Sequence, residues 1–285
     1  MKLRIGGVPE HFNLPWKLAL EEGDFRKEGI ELHWTDMPGG TGQMMRGFEN
    51  NTLDIAVLLT EGVTRGILQG LKAKIVDVYV TSPLHWGVHV PYHSDYSKIE
   101  DLEGKTFAIS RFGSGSHLMA YVCADRMGWN TADLKFNVIG DVYGGLWALE
   151  NNEAQIFLWD KYMTHPYTVQ KKCRYLDEVI TPWPCFVIAA REEVIRENPE
   201  VVKQISKIVN EKAQVMKNSE HIIEIISWRY NLRSNQVQNW LTETDWNYNL
   251  IKYPLAFERT VSYLSKLNLI TPDEAENWRD KLFMD

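Results

Sequence analysis

Short apolar runs alternate with helix-length segments twice along this chain, and that alternation limits the fold more than any other feature. Leu3–Val8, Ile30–Asp36, Leu53–Leu59 and Ile75–Thr81 read as strands. Helices read near Trp16–Lys27, after Gly42 and from Thr60. A second run holds Thr106–Ser110, a helix over 115–127, Leu134–Ile139, a helix over Gly145–Asn151, Ala154–Trp159 and a helix over 161–171. Strand–helix–strand order repeated in this way predicts parallel sheets with crossover helices, an α/β fold. Leu53–Leu59 is nearly all apolar, as a parallel strand covered on both faces must be.

Two proline-marked segments divide the runs. Ser82–Pro91 holds Pro83, Gly87 and Pro91 among β-formers and reads as an extended hinge. Thr181–Ala190, with Pro182 and Pro184, reads as a return crossing. The remainder reads helical, over Pro199–Met216, Ser219–Arg229, Asn235–Leu241, Leu255–Lys266 and Thr271–Lys281. Thr271-Pro272-Asp273-Glu274 is a helix start: an N-cap, Pro at the first position and acids in the first turn. The expected domains are therefore residues 1–84 with 188–285 as one discontinuous lobe, and 85–187 as the other.

A net charge of −7, from 31 basic and 38 acidic residues, argues against a nucleic-acid partner. The chain holds no apolar run of about 18 residues, so no membrane insertion is expected. The sequence leads from Met1 straight into a strand, and the expectation is a cytoplasmic protein, or a periplasmic one if an export signal was removed. Three cysteines without a CxxC spacing point to neither a disulfide framework nor a zinc site. His85 and His89 have helical i,i+4 spacing, but the prolines around them oppose a helix. No GxSxG, HExxH or GxxxxGK[ST] occurs, and neither a metal nor a cofactor is expected.

Candidate binding residues follow from strand ends. In Asp101–His117 an apolar strand meets a glycine–serine bend that opens a helix, aiming free N–H groups and the positive helix end at one point beside Arg111. Pro38–Gln43 repeats the pattern. Ligands of open α/β sheets lie at the carboxyl ends of strands. That rule selects Phe12, Asn13, Gly40, Thr41, Thr60 and Glu61 in the first run, and His85 on the hinge. In the second run it selects Arg111, Gly113, Ser114, Ser116, Tyr143 and Trp159, with Trp183 on the return crossing. The stretches 141–145 and 159–161 bring Asp141, Asp160 and Lys161 along. Thr41, Thr60, Ser114 and Ser116 are expected to donate hydrogen bonds and Arg111 to face a negative group. Phe12, Tyr143, Trp159 and Trp183 are expected to flank an apolar or aromatic body. The plainer alternatives are a surface ion pair for Arg111, a satisfied hinge histidine for His85, and a dipole partner in the first helical turn for Glu61.

Five pieces in order carry a family resemblance: Ala19–Leu32, Gly39-Gly40-Thr41-Gly42, Asn51–Ala56, Asp101–Lys105 and Phe112–Ser116. With them the chain resembles type II periplasmic-binding proteins, in the branch that includes nitrate, sulfonate and thiamine-pyrimidine binders. It looks most like the unexported fungal and bacterial members. The resemblance implies a two-lobed fold with a helical C-terminal tail on the first lobe. It implies a small-molecule partner: a polar or anionic ligand of pyrimidine, sulfonate or aromatic-carboxylate type, gripped as the lobes close. A transporter partner is implied only if the chain is exported. The enzyme alternatives on this fold are thiamine-pyrimidine synthase and the chorismate-processing enzymes. The synthase uses a lysine, a sacrificial histidine and a cysteine-rich motif. Leu53–Gly70 contains neither Lys nor His, and Cys185 stands alone in its region. A solute-binding protein is the expectation, with a cytosolic enzyme as the alternative.

Overall fold

A computed structural model describes residues 2–246 and 254–284, and these form two compact units: 2–83 with 182–246 and 254–284, and Leu84–Thr181. In the first unit the chain runs β1 (Lys2–Gly7), α1 (Leu14–Glu21), α2 (Asp24–Lys27), β2 (Glu31–Asp36), α3 (Gly40–Glu49), β3 (Ile55–Leu59), α4 (Thr60–Leu68) and β4 (Ala73–Val80). The second unit holds β5 (His85–Pro91), β6 (Thr106–Ile109), α5 (Gly115–Met127), β7 (Lys135–Val138), α6 (Val142–Glu150), β8 (Ile156–Asp160), α7 (Lys161–Val169) and β9 (Cys173–Ile180). The chain then returns through β10 (Phe186–Arg191), α8 (Glu192–Glu197), α9 (Pro199–Lys217), α10 (Ile222–Tyr230) and α11 (Ser234–Glu243). It ends on α12 (Pro254–Lys266), α13 (Pro272–Ala275) and α14 (Trp278–Leu282).

Each unit is built on a five-stranded sheet, ordered β2-β1-β3-β10-β4 in the first and β7-β6-β8-β5-β9 in the second. With the crossing strand of each unit set aside and the other four numbered in chain order, both sheets read 2-1-3-crossing-4. In both, one strand lies antiparallel in the fourth position, and in both it is a crossing strand: β10 between β3 and β4, β5 between β8 and β9. The strand predicted most apolar, β3, has Ile55 to Leu58 wholly buried, because helices cover both faces of a parallel strand. Edge strand β2 buries Leu32 and leaves Glu31 and His33 exposed. Helix α9 packs against α1 and is tied there by Lys212, which pairs with Glu22 at 2.7 Å and Asp24 at 2.6 Å. Ser206 and Asn210 of α9 both donate to buried Asp77 on β4. The outer edge of β4 is closed by the tail, through bridges from Ile75 to Phe283 and from Val80 to Trp246. A covered edge offers no template for another chain.

Several sequence expectations need correction. The hinge reading of Ser82–Pro91 is wrong over most of its length: His85–Pro91 is strand β5, inside the second sheet. Its prolines stand before the strand and at its last residue, where no ladder hydrogen bond in the middle of the sheet is lost. Strand β9 was not expected at all. The second half of the return crossing, from Phe186, is strand β10. The helix expected over Trp16–Lys27 is broken at Gly23, which adopts the left-handed φ of 74°. The helix expected over Thr271–Lys281 is broken where Asn277 takes φ 52°, after a capping box between Thr271 and Glu274. Among the described residues no helix is long and apolar enough to cross a membrane.

Candidate ligand-binding site

In the first unit the carboxyl ends of the parallel strands gather a connected set of the expected residues. Gly40 takes a φ of 63°, a conformation open to glycine, and turns the chain from β2 into α3. Thr41 follows it, and its Oγ1 accepts the Leu59 N–H at 3.1 Å, tying the start of α3 to the end of β3. Thr41 also leaves no room for a side chain at Gly62, where a Cβ would lie 2.7 Å from its Cγ2. Thr60 donates from both N and Oγ1 to the Cys185 carbonyl, at 3.1 and 3.3 Å. Glu61, in the first turn of α4, is buried, and its Oε2 accepts the Trp183 indole N–H at 2.8 Å. Its Oε1 has no hydrogen-bond partner among the described residues. Burial pushes the Glu61 carboxyl up to about 7, against the pull of the Trp183 bond.

Phe12 stands next to this set. Its ring lies 5.2 Å from Phe186 and 5.2 Å from Trp240, so it is a buried wall whose carbonyl accepts the Tyr79 hydroxyl. Asn13 is also buried and donates to the Val8 carbonyl. His11, which was not among the expected residues, lies with its ring 4.2 Å from Trp240, and neither ring nitrogen has a hydrogen-bond partner among the described residues. Burial pushes its imidazole down to about 3.

In the second unit the same strand ends carry the other expected residues. Arg111 and Phe112 follow β6, with Arg111 half-buried and Phe112 65% exposed. Gly113, with φ 76°, lets the chain turn back so that its N–H reaches His117 Nδ1 at 3.0 Å. Ser114 caps α5 by accepting the His117 N–H, and Ser116 Oγ accepts the Ser110 N–H at 3.0 Å. Both serine hydroxyls are thus engaged inside the turn and lie 3.0 Å apart. Asp141 caps α6 through two backbone N–H groups, and Tyr143 beside it is 66% exposed. Trp159 packs against Phe157 at the end of β8, where Gly87 is its partner across the ladder.

Asp160, the last residue of β8, caps α7: its Oδ1 accepts the N–H groups of Tyr162 at 3.0 Å and Met163 at 2.7 Å. Its Oδ2 is buried without a partner among the described residues, and desolvation raises its carboxyl to about 6 despite the two N–H bonds. His85 begins β5, with its Nδ1 3.2 Å from Glu178 Oε2. Lys161 pairs with the same Glu178 oxygen at 3.1 Å, and these contacts hold the Glu178 carboxyl below its usual range. Glu178 was missed because its strand, β9, was missed. Phe112 could have been found as the residue between Arg111 and Gly113. His11 carried no sequence signal. Among the described residues no group of three or more His, Cys, Asp or Glu could hold a metal ion.

Solved structures resemble this chain over nearly its full length. The similarity reaches a TM-score of 0.90 with the Candida albicans CA3427 gene product, described as defining a new family with the generic periplasmic binding protein fold. That match covers 100% of this chain and 96% of that one, at 22% identity. This chain has the type II periplasmic-binding-protein fold. Residues 86–179 of it match the family model described as Ca3427-like PBP. Two further proteins of the fold are similar. The alkanesulfonate-binding protein SsuA of Xanthomonas axonopodis pv. citri, bound to MOPS, gives a TM-score of 0.80 at 14% identity over 95% of each chain. The periplasmic aliphatic sulphonate binding protein SsuA of Escherichia coli gives 0.76 at 15% identity, over 99% of this chain and 97% of that one. No curated protein matches the sequence. In this binding-protein fold β3–α4 and β8–α7 are the corresponding junctions of the two units, and each bears a buried acid, Glu61 or Asp160.

Proposed function

We propose that the protein reversibly binds a small polar organic solute, and that strand-end rims of the kind each unit carries supply the binding groups. The observation that carries this reading is the connected set of Thr41, Thr60, Glu61 and Trp183 at one rim, matched by a second rim with helix starts at Ser114, Asp141 and Asp160. Trp159, Tyr143 and Phe112 supply flat apolar surface in the second unit, beside the polar helix starts. Two similar proteins, the SsuA proteins of Xanthomonas axonopodis pv. citri and Escherichia coli, are sulfonate-binding proteins, which supports a solute-binding role of this kind. The ligand classes under this reading are the pyrimidine, sulfonate and aromatic-carboxylate types.

The test is a thermal-shift screen of small anions and heterocycles, since a ligand bound to the folded form raises stability by mass action. Each hit is then measured against Arg111→Ala, Trp159→Ala and Trp183→Phe. The last keeps a ring and removes the N–H that Glu61 accepts. We expect at least one of the three to weaken binding by more than about 1 kcal/mol. If all three leave affinity within about 0.5 kcal/mol of the parent, the rims are not the site. An enzymatic reading draws on Glu61, whose near-neutral carboxyl has the value a general acid–base needs. Recovery of the ligand as a changed molecule would favour it.

A further inference from the structure

We propose that the first unit carries a second binding site, at the end of its sheet away from the strand-end rim, for an amino acid with an apolar side chain. The site is a cavity of about 650 Å³, within the range of about 300–1,000 Å³ usual for small-molecule sites. It lies among the last turns of α3 and α4, the approach to β4 and the junction of β10 with α8. These segments meet at the amino ends of the parallel strands, because β10 runs antiparallel and its last residue, Arg191, pairs with Ala73 at the start of β4. Thr41, Thr60 and Glu61 stand at the opposite, carboxyl ends. A ligand in the cavity is therefore distinct from one held at the rim.

The lining has an apolar part and a charged part. Phe48 is buried and Met45 and Leu71 are half-buried, and together they form an apolar wall. Met45 sits against Gly66, where a Cβ would lie 2.6 Å from its Sδ. The charged part holds both signs. Arg191 spends its two Nη groups on Asp54 Oδ1 at 2.9 Å, Asn51 Oδ1 at 2.6 Å and Glu193 Oε2 at 2.9 Å. Its Nε is buried and has no hydrogen-bond partner among the described residues. Lys72 and Arg196 are exposed cations with no ion pair among the described residues. Glu49 and Glu192 are carboxylates that also have none there. A simple anion would meet two unpaired carboxylates, and a simple cation would meet two unpaired cations. A molecule bearing both charges answers both sets, and its carboxylate can supply the acceptor that Arg191 Nε lacks. An apolar side chain on the same molecule covers Phe48 and Met45. An α-amino acid joins these three features in one small frame.

The test is a thermal-shift titration of the full chain with three probes that share one ring. They are L-phenylalanine, 3-phenylpropanoate, which lacks the ammonium, and phenethylamine, which lacks the carboxylate. The variants are Arg196→Gln and Glu192→Gln, both on α8, where neither side chain is tied to another described residue. Circular dichroism checks that both remain folded. We expect L-phenylalanine to raise Tm in a saturable way and each half-probe to bind at least tenfold more weakly. Each variant should weaken phenylalanine binding at least threefold. No shift with phenylalanine, a half-probe that binds as tightly as phenylalanine, or a shift that survives either substitution overturns the site. The two readings fail separately. A phenylalanine shift that survives both substitutions but is lost on Trp183→Phe places the amino acid at the strand-end rim, which removes the second site and leaves the rims standing.

Discussion

Glu61 owes its unusual state to burial, with its own backbone N–H and the Trp183 indole N–H in partial opposition. Its folded carboxyl sits at about 7, against 4.5 in the unfolded chain. Between those values the folded form keeps a proton that the unfolded form releases. The contribution of Glu61 to stability is therefore most favourable below pH 4.5 and is lost as pH rises through 7. Glu61→Gln has no such titration. Its stability relative to the parent should increase from pH 5 to pH 8, by up to about 3 kcal/mol. Denaturant melts of both proteins across that range check this, and a pH-independent difference would refute it. His11 works in the opposite sense. Its imidazole is pushed down to about 3, so the unfolded chain takes up a proton below pH 6.5 that the folded chain refuses. Replacing it with Leu should remove that part of the acid sensitivity. At this scale the sequence pointed to Glu61 and Trp183 but gave no sign that they bond to one another, because they stand 122 residues apart in the chain.

The elements divide by how plainly their chemistry marks them. Strands β3 and β8 were legible because both are buried on both faces and hold continuous apolar runs. Strand β9 was not, because it lies at the edge of the second sheet and carries Arg174, Asp177 and Glu178, charges that an edge tolerates and a central strand does not. With β9 unread, Glu178 and its contacts to His85 and Lys161 were out of reach. Strand β5 was concealed by Pro83 and Pro91, which read as a hinge but only bracket the strand. The glycine–serine bend of 113–116 was read correctly as a helix start, yet its hydroxyls hold their own turn together. Packing between elements supplies a sharp prediction. Gly145 on α6 lies against β8, where a Cβ would come 2.5 Å from Phe157 Cε2. Gly145→Ala should cost about 1–3 kcal/mol through overpacking of the core beneath Trp159. A melt of that variant within about 0.5 kcal/mol of the parent would show that α6 can shift without loss.

At the scale of the molecule, one plan is used twice. Each unit is a sheet of four like-directed strands with one antiparallel crossing strand inserted in the fourth position. The repeated plan places corresponding strand-to-helix junctions, and corresponding buried acids, in both units. The C-terminal helices belong to the first unit, where they tie Asp77 to α9 and close the free edge of β4. The central claim is that this doubled plan holds a small solute and gives it back. Native mass spectrometry of the intact protein with a thermal-shift hit, followed by release and weighing of the ligand, tests it most directly. The account predicts a one-to-one noncovalent complex whose ligand returns with its mass unchanged, and whose yield falls when Glu61 or Trp159 is replaced. A ligand that returns altered, or a complex indifferent to both replacements, would contradict it.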